Sequence, residues 1–162
     1  MKSDNKKIIA VICLISLVMT GFAQTTHWSP ITGTQYSMHV QGQVFIDEEF
    51  QTSSSLEVGA FCDAECRGSV LIDYFPVPGF QTYIADFYVV SNVENGETIT
   101  FRLYNHELGE EMELDCSTTI TFANNGSVGA PNEWLAILFT TPTSTYELPI
   151  TGYGELSNSG GY

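Results

Sequence analysis

The stretch Glu57–Ser69, EVGAFCDAECRGS, constrains the fold more than any other part of this chain. Leu56, Val58, Ala60 and Cys62 alternate with Glu57, Gly59 and Phe61, the period of two that belongs to a β-strand with one apolar face. Asp63, Ala64 and Glu65 then reverse the chain, and Cys66, Gly68, Val70 and Ile72 resume the apolar face. The pattern predicts a hairpin with a three-residue loop that sets Cys62 opposite Cys66, both pointing the same way.

The same alternation recurs along the chain. From Tyr36 to Ile46, Tyr36, Met38, Val40, Gly42, Val44 and Ile46 take one face; Ser37, His39, Gln41 and Gln43 take the other, which Phe45 interrupts. Thr98–Tyr104 sets Ile99, Phe101 and Leu103 inward, and Met112, Leu114 and Cys116 alternate with acids. Trp134, Ala136 and Leu138 oppose Leu135, Ile137 and Phe139. Phe80–Val90 carries bulk on both faces, which predicts a central or loop-covered strand. Turn signals separate these runs: the prolines of YFPVPG (Tyr74–Gly79), Glu94-Asn95-Gly96 and Asn124-Asn125-Gly126. Seven or eight short strands without an internal repeat predict an all-β antiparallel sandwich, Ig-like or jelly-roll-like. An aromatic content of 12% and plentiful Thr, Ser and Gly agree with that class.

Met1–Ala23 reads as an address. Lys2, Lys6 and Lys7 precede the apolar run Ile8–Met19, too short to span a bilayer, and small residues close the segment at Ala23. Cys13 lies within the apolar run and lacks the small residue expected before a lipid-bearing cysteine. A signal peptide over 1–23 leaves 139 of the 162 residues, a β-sandwich domain over 24–141 and a linker, or the start of a following module, over 142–162. The remaining chain has two arginines, no lysine and eighteen acids, a net charge of −16. Such a surface repels nucleic acid and anionic membranes, and no membrane span is expected after the leader.

The motifs EVGAF, ECRGS, the YFP connection, GETITFRLYNHE and YELPITGYG together resemble a module of large secreted and surface proteins of Bacteroidota whose function is not established. The resemblance covers most of residues 28–154. It implies a β-sandwich set beside other modules in adhesin-like or carbohydrate-associated proteins, and it supplies no catalytic residues.

Cys62, Cys66 and Cys116 all fall on apolar faces by the period-two count, so an oxidising compartment predicts one disulfide among them, with Cys62–Cys66 preferred. A catalytic cysteine would need a histidine partner, and none is near in sequence. His27, His39 and His106 show no ligand spacing, which argues against zinc; His39 reads as solvated. The acids at Asp47-Glu48-Glu49, at Asp63 and Glu65, and over Glu107–Asp115 could give calcium oxygen ligands, but no dedicated loop is present and solvated turns are expected. Paired carboxylates also serve glycoside hydrolysis, though no substrate cleft is signalled. Arg67 and Arg102, the only cations after the leader, read as structural ion-pair partners. Trp28, Tyr74, Phe75, Tyr83, Tyr88 and Trp134 could build a flat sugar-stacking platform, but most aromatics on such strands are core; Trp28, Tyr74 and Trp134 are the best candidates for an exposed ring that stacks on a sugar. The sequence therefore leads us to expect a secreted or cell-surface, non-enzymatic module for adhesion or assembly, with a glycan or a surface protein as partner. A carbohydrate-binding module accessory to polysaccharide use is the alternative.

Overall fold

The computed structural model describes residues 25–143, so the expected leader and residues 144–162 of the C-terminal segment lie outside the described residues. Twelve strands and no helix occur among the described residues, in two sheets. The larger sheet has the order β5-β6-β1-β12-β9: Asp73–Phe75 (β5), Thr82–Ser91 (β6), Tyr36–Ile46 (β1), Leu135–Thr140 (β12) and Asp115–Cys116 (β9). Two short strands, Glu49–Phe50 (β2) and Ser127–Val128 (β11), also pair with β1. The smaller sheet runs Thr119–Ala123 (β10), Asn95–Asn105 (β7), Leu56–Cys62 (β3) and Glu65–Leu71 (β4), with Glu110–Glu111 (β8) against β7.

The core lies between the sheets, where alternation sends the apolar half of each strand. Met38, Val40 and Val44 of β1, Phe87 and Val89 of β6, and Ile137 and Phe139 of β12 meet Val58, Ile99, Phe101, Leu103 and Phe122. Phe122 and Phe139 are the largest of the fully buried side chains, and such rings contribute most to burial energy.

The arrangement is not wholly antiparallel. β1 pairs antiparallel with β6, from Tyr36↔Ser91 to Gly42↔Ala85, but parallel with β12, from Gly42↔Leu135 to Ile46↔Phe139. A period of two sets which face a residue takes and carries no information about strand direction, which is why this pairing was not foreseen. The first turn is tight: Asp47 and Glu48 both take positive φ, 49° and 69°, and Ile46 pairs with Glu49, the geometry that suits a two-residue hairpin. The expected strand through Met112, Leu114 and Cys116 is broken into β8 and β9, although all three side chains still pack on the core.

The β3–β4 hairpin forms with a shorter loop than expected. Cys62 pairs with Glu65 across Asp63-Ala64, and Asp63 takes φ 53°. Register then slips: Phe61 pairs with Cys66 but Ala60 with Gly68, so Arg67 is the extra residue of a β-bulge. The expected Cys62–Cys66 pairing is thereby corrected. Cys62 approaches the Glu97 carboxylate, its Sγ 3.6 Å from Oε1, whereas Cys66 Sγ points to its own strand at Gly68 O. Cys62, Cys66 and Cys116 are all free thiols.

β3 is buried from Leu56 to Phe61, on both faces rather than one. Residues 25–31 lie across its outer side. Trp28 sits over Gly59, where an added Cβ would come within 2.6 Å of the indole. The Ile31 amide donates to Cys66 O at 3.0 Å and the Ser69 hydroxyl donates to Trp28 O at 3.0 Å.

Candidate functional site

The outer face of the larger sheet is the one that carries organised, accessible chemistry. Alternation along β1 places His39, Gln41 and Gln43 on that face, and alternation along β6 adds Thr82, Ile84, Asp86 and Tyr88. Register makes Tyr88 the direct neighbour of His39, and Asp86 that of Gln41. Their side chains are tied together. His39 Nε2 lies 2.6 Å from Asp86 Oδ1, the Gln41 amide donates to Asp86 Oδ2 at 3.0 Å, and the Gln43 amide donates to the Thr82 hydroxyl at 2.8 Å. Tyr88 stacks on the His39 ring at 4.9 Å and is nevertheless 61% exposed, an aromatic ring held in place without being buried.

Beside this group the face sinks into a depression of about 260 Å3, lined by Val70, Leu71, Asp73, Tyr74, Phe75, Ile84 and Asp86. Ile84 is 3% exposed although it belongs to the outward row, so its apolar side chain is covered. Phe75 pairs with Thr82 and meets Trp134 edge to face at 5.4 Å. Further along, Phe45 and Phe50 pack at 5.6 Å and Leu138 is 41% exposed.

Of the three aromatic candidates, Tyr74 and Trp134 lie at this region and Trp28 does not. Tyr74 is 45% exposed and leans on Tyr83, and half-buried Trp134 contacts Phe75. Trp28 is on the opposite side of the molecule, packed on Phe61 and Tyr104. From the sequence Tyr88 is one of six aromatics that could form a stacking platform but not one of the three preferred, His39 reads as solvated, and Asp86 is not singled out. Each sits on the polar side of its alternating run; only the β1–β6 register, a long-range feature, brings them together.

On the outer face of the smaller sheet residues 25–31 cover β3, while Thr98 and Thr100 of β7 and Thr119 and Thr121 of β10 stay exposed. Glu57 is fully buried there. Its carboxylate accepts from the amides of His27, at 2.5 Å, and Trp28, at 3.2 Å, and lies 2.7 Å from His106 Nε2. His27 stacks on Tyr104 at 3.8 Å, nearly parallel. Arg102 caps this cluster, 4.3 Å over the Phe61 ring and 3.5 Å from Glu111. Arg67 is buried between the sheets, 2.8 Å from Glu97 and 3.3 Å from Glu65; the other Glu97 oxygen accepts from Ser91, whose hydroxyl in turn accepts from the Val93 amide at 2.8 Å. Both arginines therefore stand against carboxylates.

Another cleft, of about 590 Å3, lies along β7 and the 111–116 segment, lined by Arg102, Glu111, Met112, Glu113 and Cys116 among others. The thiols are poor nucleophiles. Withdrawal from water pushes all three up from the ordinary range, and for Cys62 the Glu97 carboxylate adds to that. Among the described residues no three His, Cys, Asp or Glu side chains converge where they could hold a metal ion. No helix among them is long and apolar enough to cross a membrane. Comparison with known protein families, with curated proteins and with solved structures found no match to this chain.

Proposed function

We propose that this chain is a secreted or cell-surface, non-enzymatic recognition module for adhesion or assembly, built as a sandwich of the Ig-like or jelly-roll-like kind. The observation that carries the reading is the contrast between its two outer faces. One is covered over β3 by the chain itself and elsewhere shows only the exposed threonines of β7 and β10, and the other keeps Tyr88, His39, Asp86 and Gln41 fixed in the open. Side chains held rigidly at the surface suit recognition, because little freedom is lost on binding. Face contact suits this molecule better than strand addition. The larger sheet ends in strands of three and two residues, β5 and β9. β4, at one edge of the smaller sheet, is met by Ile31 and by the backbone at Tyr88, which a Cβ on Gly68 would strike. The apolar-to-small-residue leader and the resemblance to Bacteroidota surface modules support an extracellular setting.

The alternative, a carbohydrate-binding module, is favoured by the exposed Tyr88 ring beside fixed hydrogen-bonding groups. Beads coated with the chain should adhere to the surface of cells bearing extracellular polysaccharide or protein, and adherence should drop with Tyr88→Ala. Incubation with peptide and polysaccharide substrates should release no product. Turnover abolished by a single carboxylate substitution would overturn the non-enzymatic reading.

A further inference from the structure

We propose that the depression between Asp73, Phe75, Ile84 and Asp86, with the Tyr88 ring beside it, is a subsite for an uncharged hexose polymer. The inference rests on the reading of the chain as a recognition module and names what that module recognises.

A pyranose ring presents an apolar face of C–H groups and a rim of hydroxyls. Binding it from water takes an aromatic or aliphatic wall for the first and paired hydrogen-bonding groups for the second. The depression offers both. Half-buried Val70, Leu71 and Phe75 supply apolar wall, and the carboxylates of Asp73 and Asp86 supply acceptors. Asp86 is oriented before any ligand arrives, because His39 holds one of its oxygens and Gln41 the other. A carboxylate oxygen has lone pairs for more than one donor, so these contacts leave it able to accept from a hydroxyl. Tyr88 lies two residues beyond Asp86 on the same face, its ring steadied on His39.

The extent of the face matches a chain rather than a single sugar. Thr82 and Tyr88 are six residues apart on β6, about 20 Å at the rise of an extended strand. Phe75 pairs with Thr82, so aromatic rings stand at both ends of this span, with hydrogen-bonding groups between them.

Charge selects among polymers. Arg67 and Arg102 are the only lysine or arginine residues between 25 and 143, and both belong to the smaller sheet and stand against glutamates. The depression itself carries two aspartates. Uronic or sulfated polymers would meet like charge with no lysine or arginine to offset it, whereas neutral hydroxyls would find acceptors.

Affinity electrophoresis of the full chain in native gels cast with laminarin, mannan, pullulan or hydroxyethyl cellulose tests this, with polygalacturonate as the anionic probe. The inference expects retardation by at least one neutral polymer and none by polygalacturonate. Tyr88→Ala should weaken that retardation more than tenfold, and Asp86→Ala should weaken it as well, both with unchanged melting temperature. Mobility unaltered by all four neutral polymers, retardation by polygalacturonate alone, or wild-type retardation in Tyr88→Ala would each overturn it. The bead assay separates the two levels. Adherence to cells without retardation by any neutral polymer removes the glycan subsite and leaves the adhesion reading standing. Retardation without adherence does the reverse.

Discussion

The two outer faces of this sandwich start from the same kind of sequence and end differently. On β3 the outward residues are Glu57, Gly59 and Phe61; on β1 they are His39, Gln41 and Gln43. Residues 25–31 cross the first set, fill the space over Gly59 with Trp28 and satisfy Glu57 with two amides and His106. No such segment among the described residues crosses the second set, and its polar groups bond to Asp86 and Thr82 of the neighbouring strand. A glycine opposite an aromatic, beside a carboxylate with no sequence-near cation, marks the face that the chain keeps for itself. Polar side chains in registered pairs mark the face left for something else.

The covered region over β3 should fail first when disturbed. Glu57→Ala would leave His106 and two part-buried amides without their acceptor. Removing one partner of such a buried group costs on the order of 3–5 kcal/mol. Thermal unfolding should move down by roughly 10–20 °C for a domain of this size. A shift of a degree or two would mean that residues 25–31 contribute little.

A smaller loss follows from the ring alone. Trp28→Ala should destabilise by about 2 kcal/mol, below the range for a fully enclosed tryptophan because the indole is only half-buried. Denaturant midpoints with unchanged m-value would measure it. An unaltered midpoint would make Trp28 available for a ligand after all.

The thiols sharpen the comparison from inside. Cys62 and Cys66 are on one hairpin, but the bulge at Arg67 sends one towards Glu97 between the sheets and the other to Gly68 on its own strand. Alkylation in denaturant followed by peptide mapping should find Cys62, Cys66 and Cys116 each singly modified. In the native state all three should react slowly at neutral pH, because the raised thiol pKa values keep the thiolate scarce. A cross-linked Cys62–Cys66 peptide would contradict the bulged register.

The smallest expected effect is at the end of β12. Asp47 receives the hydroxyl of Thr141 at 2.7 Å and its amide at 2.9 Å, and these bonds hold its carboxyl below the ordinary range. A lowered native pKa means that the contribution is complete above the ordinary aspartate value and is lost as pH falls through the native one. Hydrogen exchange at the Thr141 amide should therefore gain protection relative to an Asp47→Asn variant at neutral pH and lose that advantage in acid. Equal protection at both pH values would remove the clasp from the account.

Fold class was legible because alternation is local. Met38, Val40 and Val44, and likewise Ile99, Phe101 and Leu103, declare their strands within a few residues. The all-β layered architecture follows from such runs. What was not legible is relational. The parallel β1–β12 pairing joins residues some ninety positions apart, and no local pattern encodes direction. The slip between Ala60 and Phe61 turns on one extra residue, which a period-two count carries through without notice. At the candidate face, Tyr74 and Trp134 could be picked out as bulky aromatics. Tyr88 could be named among several aromatics but not ranked above them, because it lies in a run of apolar and aromatic residues, and His39 read as an ordinary solvated side chain until register set Asp86 and Tyr88 beside it.

The central claim is that packing and recognition are divided between the two outer faces. The most direct measurement compares Trp28→Ala and Tyr88→Ala of the full chain, each for melting temperature and for retardation in the neutral-polysaccharide gels. The account predicts a crossed result: Trp28→Ala lowers the melting temperature and, below it, leaves retardation unchanged, while Tyr88→Ala keeps the melting temperature and loses retardation. The opposite crossing, with binding lost at Trp28 and stability lost at Tyr88, would contradict it.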